Sequence, residues 1–129
     1  MAGSFTDVIG IANRDKNYSE NVIKFICYKV LKGLEQLHRK DVIHRDIKSD
    51  NILFNCNGDI YLADFGHAVK TKTMIMETAG TLHWMAPELL EERPYNEKVD
   101  IWAFGIFVYE LTMVNPPFFD QREVCDNVL

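Results

Sequence analysis

"HRDIKSDNILFNCNGDIYLADFG", residues 44–66, is the stretch whose reading decides the fold. Its first eight residues hold four charged side chains, one histidine and one asparagine. A solvated loop can have that composition for solubility alone. The residues after the loop are more specific. Asn57-Gly58 lies between two apolar, β-prone runs, and Asn-Gly in that setting is a strong hairpin signal, because glycine accepts the positive φ of a tight turn. Strands are expected at 52–54 and 60–62. The outer ends of such a hairpin lie side by side, so Asn51 and Asp64, 13 positions apart (64 − 51), are expected to meet.

Upstream, Val22, Ile23, Ile26, Val30, Leu34 and Leu37 recur in steps that make one helical stripe, with Ser19 placed to cap its start. "SFTDVIGIA" reads as a shorter helix capped by Ser4, and residues 42–43 as an apolar pair leading into the charged loop. Downstream, residues 64–95 have no sustained period and contain Gly66, Gly80, Pro87 and Pro94, so they read as loop with short helical pieces. "KVDIWAFGIFVYELTM", 98–113, is apolar almost all round and is expected to run through the middle of a core until Pro116-Pro117 ends it. The order of elements is mainly α with a small β-hairpin, and a lone hairpin does not hold a fold together.

The chain has 129 residues, within the range of one domain, and 47% of them are hydrophobic, enough for a packed core. The net charge of −5, from 14 basic and 19 acidic residues, argues against nucleic acid as a partner. No run is apolar and long enough to span a bilayer, and no signal segment opens the chain. The three cysteines, Cys27, Cys56 and Cys125, are far apart and fit neither a metal site nor a disulfide set. A reduced, cytoplasmic protein is expected.

Three motifs in order, "HRDIKSDN" at 44–51, "DFG" at 64–66 and "APE" at 86–88, resemble the catalytic loop, metal-binding triplet and activation-segment end of eukaryotic protein kinases. The resemblance continues through "GTLHWMAPELL", "RPYNEKVDIWAFG" and "NPPF" and covers nearly all of the chain. It implies the large (C-terminal) lobe of the α+β kinase fold over 1–129, with the N-lobe absent. Phosphoryl transfer depends on positioning and charge neutralisation more than on covalent help. By resemblance, Asp46 is the base or orienter for the substrate hydroxyl, Lys48 directs a compact charge at the phosphate, and Thr81 braces both. Asn51 and Asp64 are the implied Mg²⁺ ligands, with Lys48, Asn51, Leu53 and Asp64 on the ATP side. His44 and Phe65 are implied to join a hydrophobic spine, Gly66 to complete the triplet, and Asp100 to hold the loop backbone. Lys48 and Thr81 are of the serine/threonine type, and "AGSFTDVI", "WMAPEL" and "EKVDIWAFGI" look most like the sterile-twenty-like group that includes the PAK kinases. Taken singly, His44 reads as a packed histidine and Arg45 as a solvated charge; in context Arg45 is the partner for a phosphate on the activation segment. Asp50, Asp59, Glu91 and Glu92 read as surface charge and Phe118-Phe119 as packing.

The chain departs from the family in two places. The glycine-rich loop, the strand lysine and its glutamate partner have no counterpart, and the arginine that would pair with Glu88 is missing, which costs roughly 3–5 kcal/mol if Glu88 is deeply buried. Where PAK-like kinases carry a phosphorylated serine or threonine, this chain has Glu77, with Thr78 beside it. Glu77 either gives Arg45 a standing negative partner or is an ordinary exposed glutamate. Two functions stay open: an ATP- and Mg²⁺-dependent serine/threonine kinase acting on proteins, or a truncated, non-catalytic kinase that binds proteins. A piece of a longer coding sequence fits either. The 129-residue chain alone is expected to bind ATP poorly, transfer no phosphate, and self-associate through an exposed apolar lobe face.

Overall fold

A computed structural model describes residues 3–12 and 18–120; Cys125 lies outside them. In chain order the elements are β1 (Gly3–Ser4), α1 (Phe5–Ala12), α2 (Glu20–His38), β2 (Val42–Ile43), β3 (Ile52–Phe54), β4 (Ile60–Leu62), β5 (Val69–Lys70), α3 (Pro87–Leu90) and α4 (Lys98–Met113). Single 3-10 turns fall at Ser49–Asn51, Phe65–His67 and Leu82–Trp84.

The hairpin forms at the expected residues. Ile52 pairs with Leu62, Leu53 with Tyr61 and Phe54 with Ile60, antiparallel. Gly58 takes φ +81° in its turn, and Asn55 Oδ1 accepts the amides of Asn57 and Asp59 at 2.9 and 3.0 Å. The ladder continues one step, with the Ala63 amide donating to the Asn51 carbonyl at 2.9 Å. The β content exceeds the expected hairpin. β1 adds a third strand beside β3, and β2 pairs with β5 as a separate ribbon, Val42 opposite Lys70 and Ile43 opposite Val69. Two-residue strands carry no period of their own, which is why the sequence does not announce them.

Ser19 caps α2 as expected, its hydroxyl accepting the Val22 amide at 3.4 Å. Ile26, Val30 and Leu34 form the buried part of the stripe, while Val22 is exposed. Ser4 precedes α1, but its hydroxyl donates to Asp7 instead of accepting a helix amide, and Asp7 also accepts the Ser4 amide, both at 3.1 Å. The main core joins Phe5 and Ile9 of α1, the α2 stripe, Ile52, Trp84, and Ala103, Phe107 and Leu111 of α4. Ile47 is buried in the same core and pins the middle of the charged 44–51 loop. A second cluster of Ile43, Ala86, Leu89, Tyr95 and Val99 lies under α3.

α4 has the expected limits but not the expected surroundings. Val99, Asp100, Ala103, Phe107, Glu110 and Leu111 are buried, whereas Ile101, Trp102, Tyr109 and Met113 are exposed. Apolar composition all round permits full burial but cannot supply the neighbours that would provide it. Among the described residues no helix is long and apolar enough to cross a membrane.

Candidate active site

The loop at 44–51 is held from below by α4. Asp100, 0% exposed, accepts the His44 amide on Oδ2 at 2.9 Å and the Arg45 amide on Oδ1 at 2.8 Å. His38 Nε2 lies 2.8 Å from the same Oδ2. Arg45 takes φ +67°, a conformation a non-glycine residue holds only where its surroundings enforce it.

Asp46, Lys48, Asn51 and Thr81 come together. Asp46 Oδ1 accepts the Thr81 hydroxyl at 2.6 Å, and Asp46 Oδ2 accepts Asn51 Nδ2 at 2.8 Å. Lys48 Nζ donates to Thr81 Oγ1 at 2.7 Å and lies 3.3 Å from Asp46 Oδ2. Burial alone would raise the Asp46 carboxyl; the Thr81 hydroxyl, the Lys48 ammonium and the Asn51 amide outweigh it and hold the group below its usual value. Gly80 makes the approach of Thr81 feasible. It takes φ +112°, and a Cβ there would stand 2.3 Å from the Arg45 carbonyl oxygen.

Asn51 Nδ2 also donates to the Asp46 carbonyl at 2.8 Å, so the amide is fixed by its nitrogen and no hydrogen bond among the described residues engages its Oδ1. Asp64 stands just beyond the end of the hairpin ladder at φ +57°, exposed, with Oδ1 accepting the Gly66 amide at 3.2 Å. One amide oxygen and one carboxylate are hard donors of the kind Mg²⁺ takes, and Mg²⁺ needs few from a protein because it keeps waters and phosphate oxygens. Among the described residues no group of three or more His, Cys, Asp or Glu competes as a metal cluster. Leu53 lines an apolar cavity of about 440 Å³ with Asn55, Tyr61, Leu62 and Ala63.

His44 is fully buried. Its Nε2 donates to the Ala63 carbonyl at 3.0 Å and its Nδ1 accepts the Asp46 amide at 3.3 Å, the pattern of a neutral ring. Burial pushes its pKa down, against the pull of Asp100. Phe65 packs against it with the rings tilted by 58° and centroids 4.9 Å apart, yet Phe65 is 47% exposed, so only one half of the implied spine is buried. Glu88 is half-buried, so the cost attached to deep burial of an unpaired carboxylate does not apply.

Arg45 is not a solvated charge. Its buried guanidinium donates through Nε to the His67 carbonyl at 2.5 Å, and through Nη1 to Tyr95 Oη and Glu77 Oε2, each at 3.1 Å. Tyr95 donates in turn to the Glu77 carbonyl at 2.5 Å, so residue 77 is held by side chain and backbone. Glu77 itself is 74% exposed on its side chain, and Thr78 is exposed next to it. Sequence reasoning assigns nothing to Tyr95, His38 or the buried pair Ser49–Glu110. The signal for Glu110 is an acid in an apolar helix, the same signal that marks Asp100.

The chain belongs to the protein kinase family: residues 1–128 match the protein kinase domain. Its relatives are serine/threonine kinases of the sterile-twenty and PAK type. It is 42% identical over 125 residues to serine/threonine-protein kinase CLA4 of Candida albicans, covering 95% of this chain and 13% of that protein. It is 45% identical over 121 residues to pakA of Dictyostelium discoideum, covering 92% and 10%, and 42% identical over 122 residues to STE20 of Saccharomyces cerevisiae, covering 92% and 13%. The chain thus spans 10–13% of the length of these relatives.

Proposed function

We propose that residues 1–129 are the core of the large lobe of an ATP-dependent protein serine/threonine kinase acting in the cytoplasm. The observation that carries the reading is the Asp46–Thr81–Lys48 junction, where a residue 35 positions from Asp46 (81 − 46) joins two of the loop's charges, Asp46 and Lys48, into one unit. Asp46, with its carboxylate held ionised, accepts or orients the hydroxyl of a substrate serine or threonine. Lys48 presents its ammonium to the transferred phosphate. Asn51 Oδ1 and Asp64 would hold Mg²⁺, which when bound neutralises phosphate charge. Leu53 and its cavity lie on the nucleotide side. The test is transfer of labelled phosphate from ATP to protein serine or threonine by a complete kinase domain containing this chain. Transfer is expected; a folded, nucleotide-binding domain that transfers none would leave only the binding-module reading.

The Arg45–Glu77 pair supports a regulatory reading of the same site. A carboxylate carries one charge where phosphate carries nearly two, so Glu77 is a partial, permanent substitute. Glu77→Gln is expected to lower activity of the unphosphorylated domain several-fold while shifting stability by no more than ~1 kcal/mol, because the Glu77 end of the pair is exposed and Arg45 keeps the His67 carbonyl and Tyr95 Oη. Kinase assays and urea melts separate the two; equal activity of the two forms would refute the role.

A second reading, protein binding without catalysis, is favoured by the exposed apolar residues of α4 and by Phe25, Tyr28 and Leu31 of α2. These surfaces predict self-association of the 129-residue chain. Sedimentation should show dimers or larger species rising with concentration, and a monodisperse monomer at high concentration would count against it.

A further inference from the structure

We infer that Glu110 is a positioning residue that fixes the far end of the 44–51 loop and ties it to the segment bearing Thr81. This rests on the kinase reading only for what the positioning serves; the geometry stands without it. Glu110 is buried in α4. Its Oε1 accepts the Ser49 hydroxyl at 2.5 Å, its Oε2 accepts the Ser49 amide at 3.3 Å, and Oε2 also accepts Trp84 Nε1–H at 3.1 Å. The Thr6 hydroxyl lies 2.7 Å from Ser49 Oγ and, since Ser49 already donates to Glu110, Thr6 is the donor there. One carboxylate therefore joins α1, the 44–51 loop, α4 and the Leu82–Trp84 turn that directly follows Thr81.

The arrangement mirrors Asp100. That carboxylate grips the amides of His44 and Arg45 at one end of the loop, and Glu110 grips Ser49 at the other. Ten residues of α4 separate the two acids (110 − 100), about 15 Å along a helix axis. Two fixed points on one helix thus hold the two ends of the loop, with Ile47 sunk in the core between them. Asp46 and Lys48 flank Ile47, so their directions follow from the two grips.

The pocket around Glu110 is built for a carboxylate. Among the described residues its hydrogen-bond partners are all donors: one backbone amide, one hydroxyl and one indole N–H. A glutamine would offer one acceptor oxygen and set an NH₂ against a donor. Burial raises the Glu110 carboxyl, and the Ser49 and Trp84 hydrogen bonds oppose that rise. An acid that is costly to bury but met only by donors has a geometric task.

The test uses the full chain, labelled with ¹³C and ¹⁵N, and compares hydrogen exchange and NOE contacts by NMR in the wild type and in Glu110→Gln. In the variant the Ser49 amide should exchange at least about ten-fold faster while the His44 and Arg45 amides, held by Asp100, exchange as before, and the NOE contact between Lys48 and Thr81 should weaken. A general loss of stability would instead speed all three amides together and leave the Lys48–Thr81 contact of the folded molecules unchanged. If Glu110→Gln does not fold, Ser49→Ala, which keeps the backbone amide contact, should show a smaller change in the same direction. An unmoved Lys48–Thr81 contact in whichever folded variant is read overturns the inference. No step depends on phosphoryl transfer, so failure here is distinct from failure of the kinase reading.

Discussion

Replacing Asp100 with Ala should remove a large part of the fold's stability. Two buried backbone amides, at His44 and Arg45, lose the acceptors they have among the described residues, and His38 loses the Asp100 contact. Each orphaned buried donor costs roughly 1–3 kcal/mol, so the two amides alone account for about 2–6 kcal/mol. Domains of this size have about 5–15 kcal/mol in total. Arg45 adds to the effect, because the cost of its left-handed backbone is offset by the Asp100 contacts to its own amide and to that of His44. Urea denaturation should show a strongly lowered midpoint or a chain unfolded in buffer. Asp100→Asn should fall between, since one oxygen still accepts while its NH₂ faces an amide donor. A midpoint within ~0.5 kcal/mol of wild type would remove α4 from its supporting role.

The second large effect falls on chemistry more than on folding. In a complete kinase domain containing this chain, Asp46→Asn should lower kcat by roughly 10²–10⁴-fold, or about 3–5 kcal/mol of barrier. The side chain keeps its shape and one oxygen for the Thr81 hydroxyl, while its NH₂ faces the Asn51 Nδ2 donor, a local cost. It loses the charge that pairs with Lys48 and cannot accept a proton. Asp46 has no direct place in holding ATP on this reading, so KM for ATP should change far less than kcat. Equal losses in both would point to a nucleotide-binding role.

Much of the fold is legible in the residues themselves. The α2 stripe and Ser19 cap, the Asn57-Gly58 hairpin and the α4 limits all rest on local spacing, and local spacing is what a sequence displays. β1 beside β3 and the β2–β5 ribbon are not legible, because strands of two residues take their meaning from distant partners. The exposure of Ile101, Trp102, Tyr109 and Met113 is hidden for a related reason: apolarity states what a face prefers, not what covers it. Within the site, Asp46, Lys48 and Asn51 are neighbours in sequence and read together. Thr81 and Arg45–Glu77 depend on contacts 35 and 32 residues apart, and the resemblance to kinases, not periodicity, points to them. Glu110 shows a further gap. Its acid in an apolar helix looks like Asp100, but only the converging donors of Ser49 and Trp84 reveal a task for it.

The central claim is that Asp46 and Thr81 act as one unit across the loop and the later segment. The most direct measurement is kcat/KM for labelled phosphate transfer by the complete domain with Asp46→Asn, Thr81→Val and both together. Groups that act as a unit lose their effect when either is removed, so the double variant should be no slower than Asp46→Asn alone. Losses that multiply would show two independent residues and contradict the junction on which the kinase reading stands.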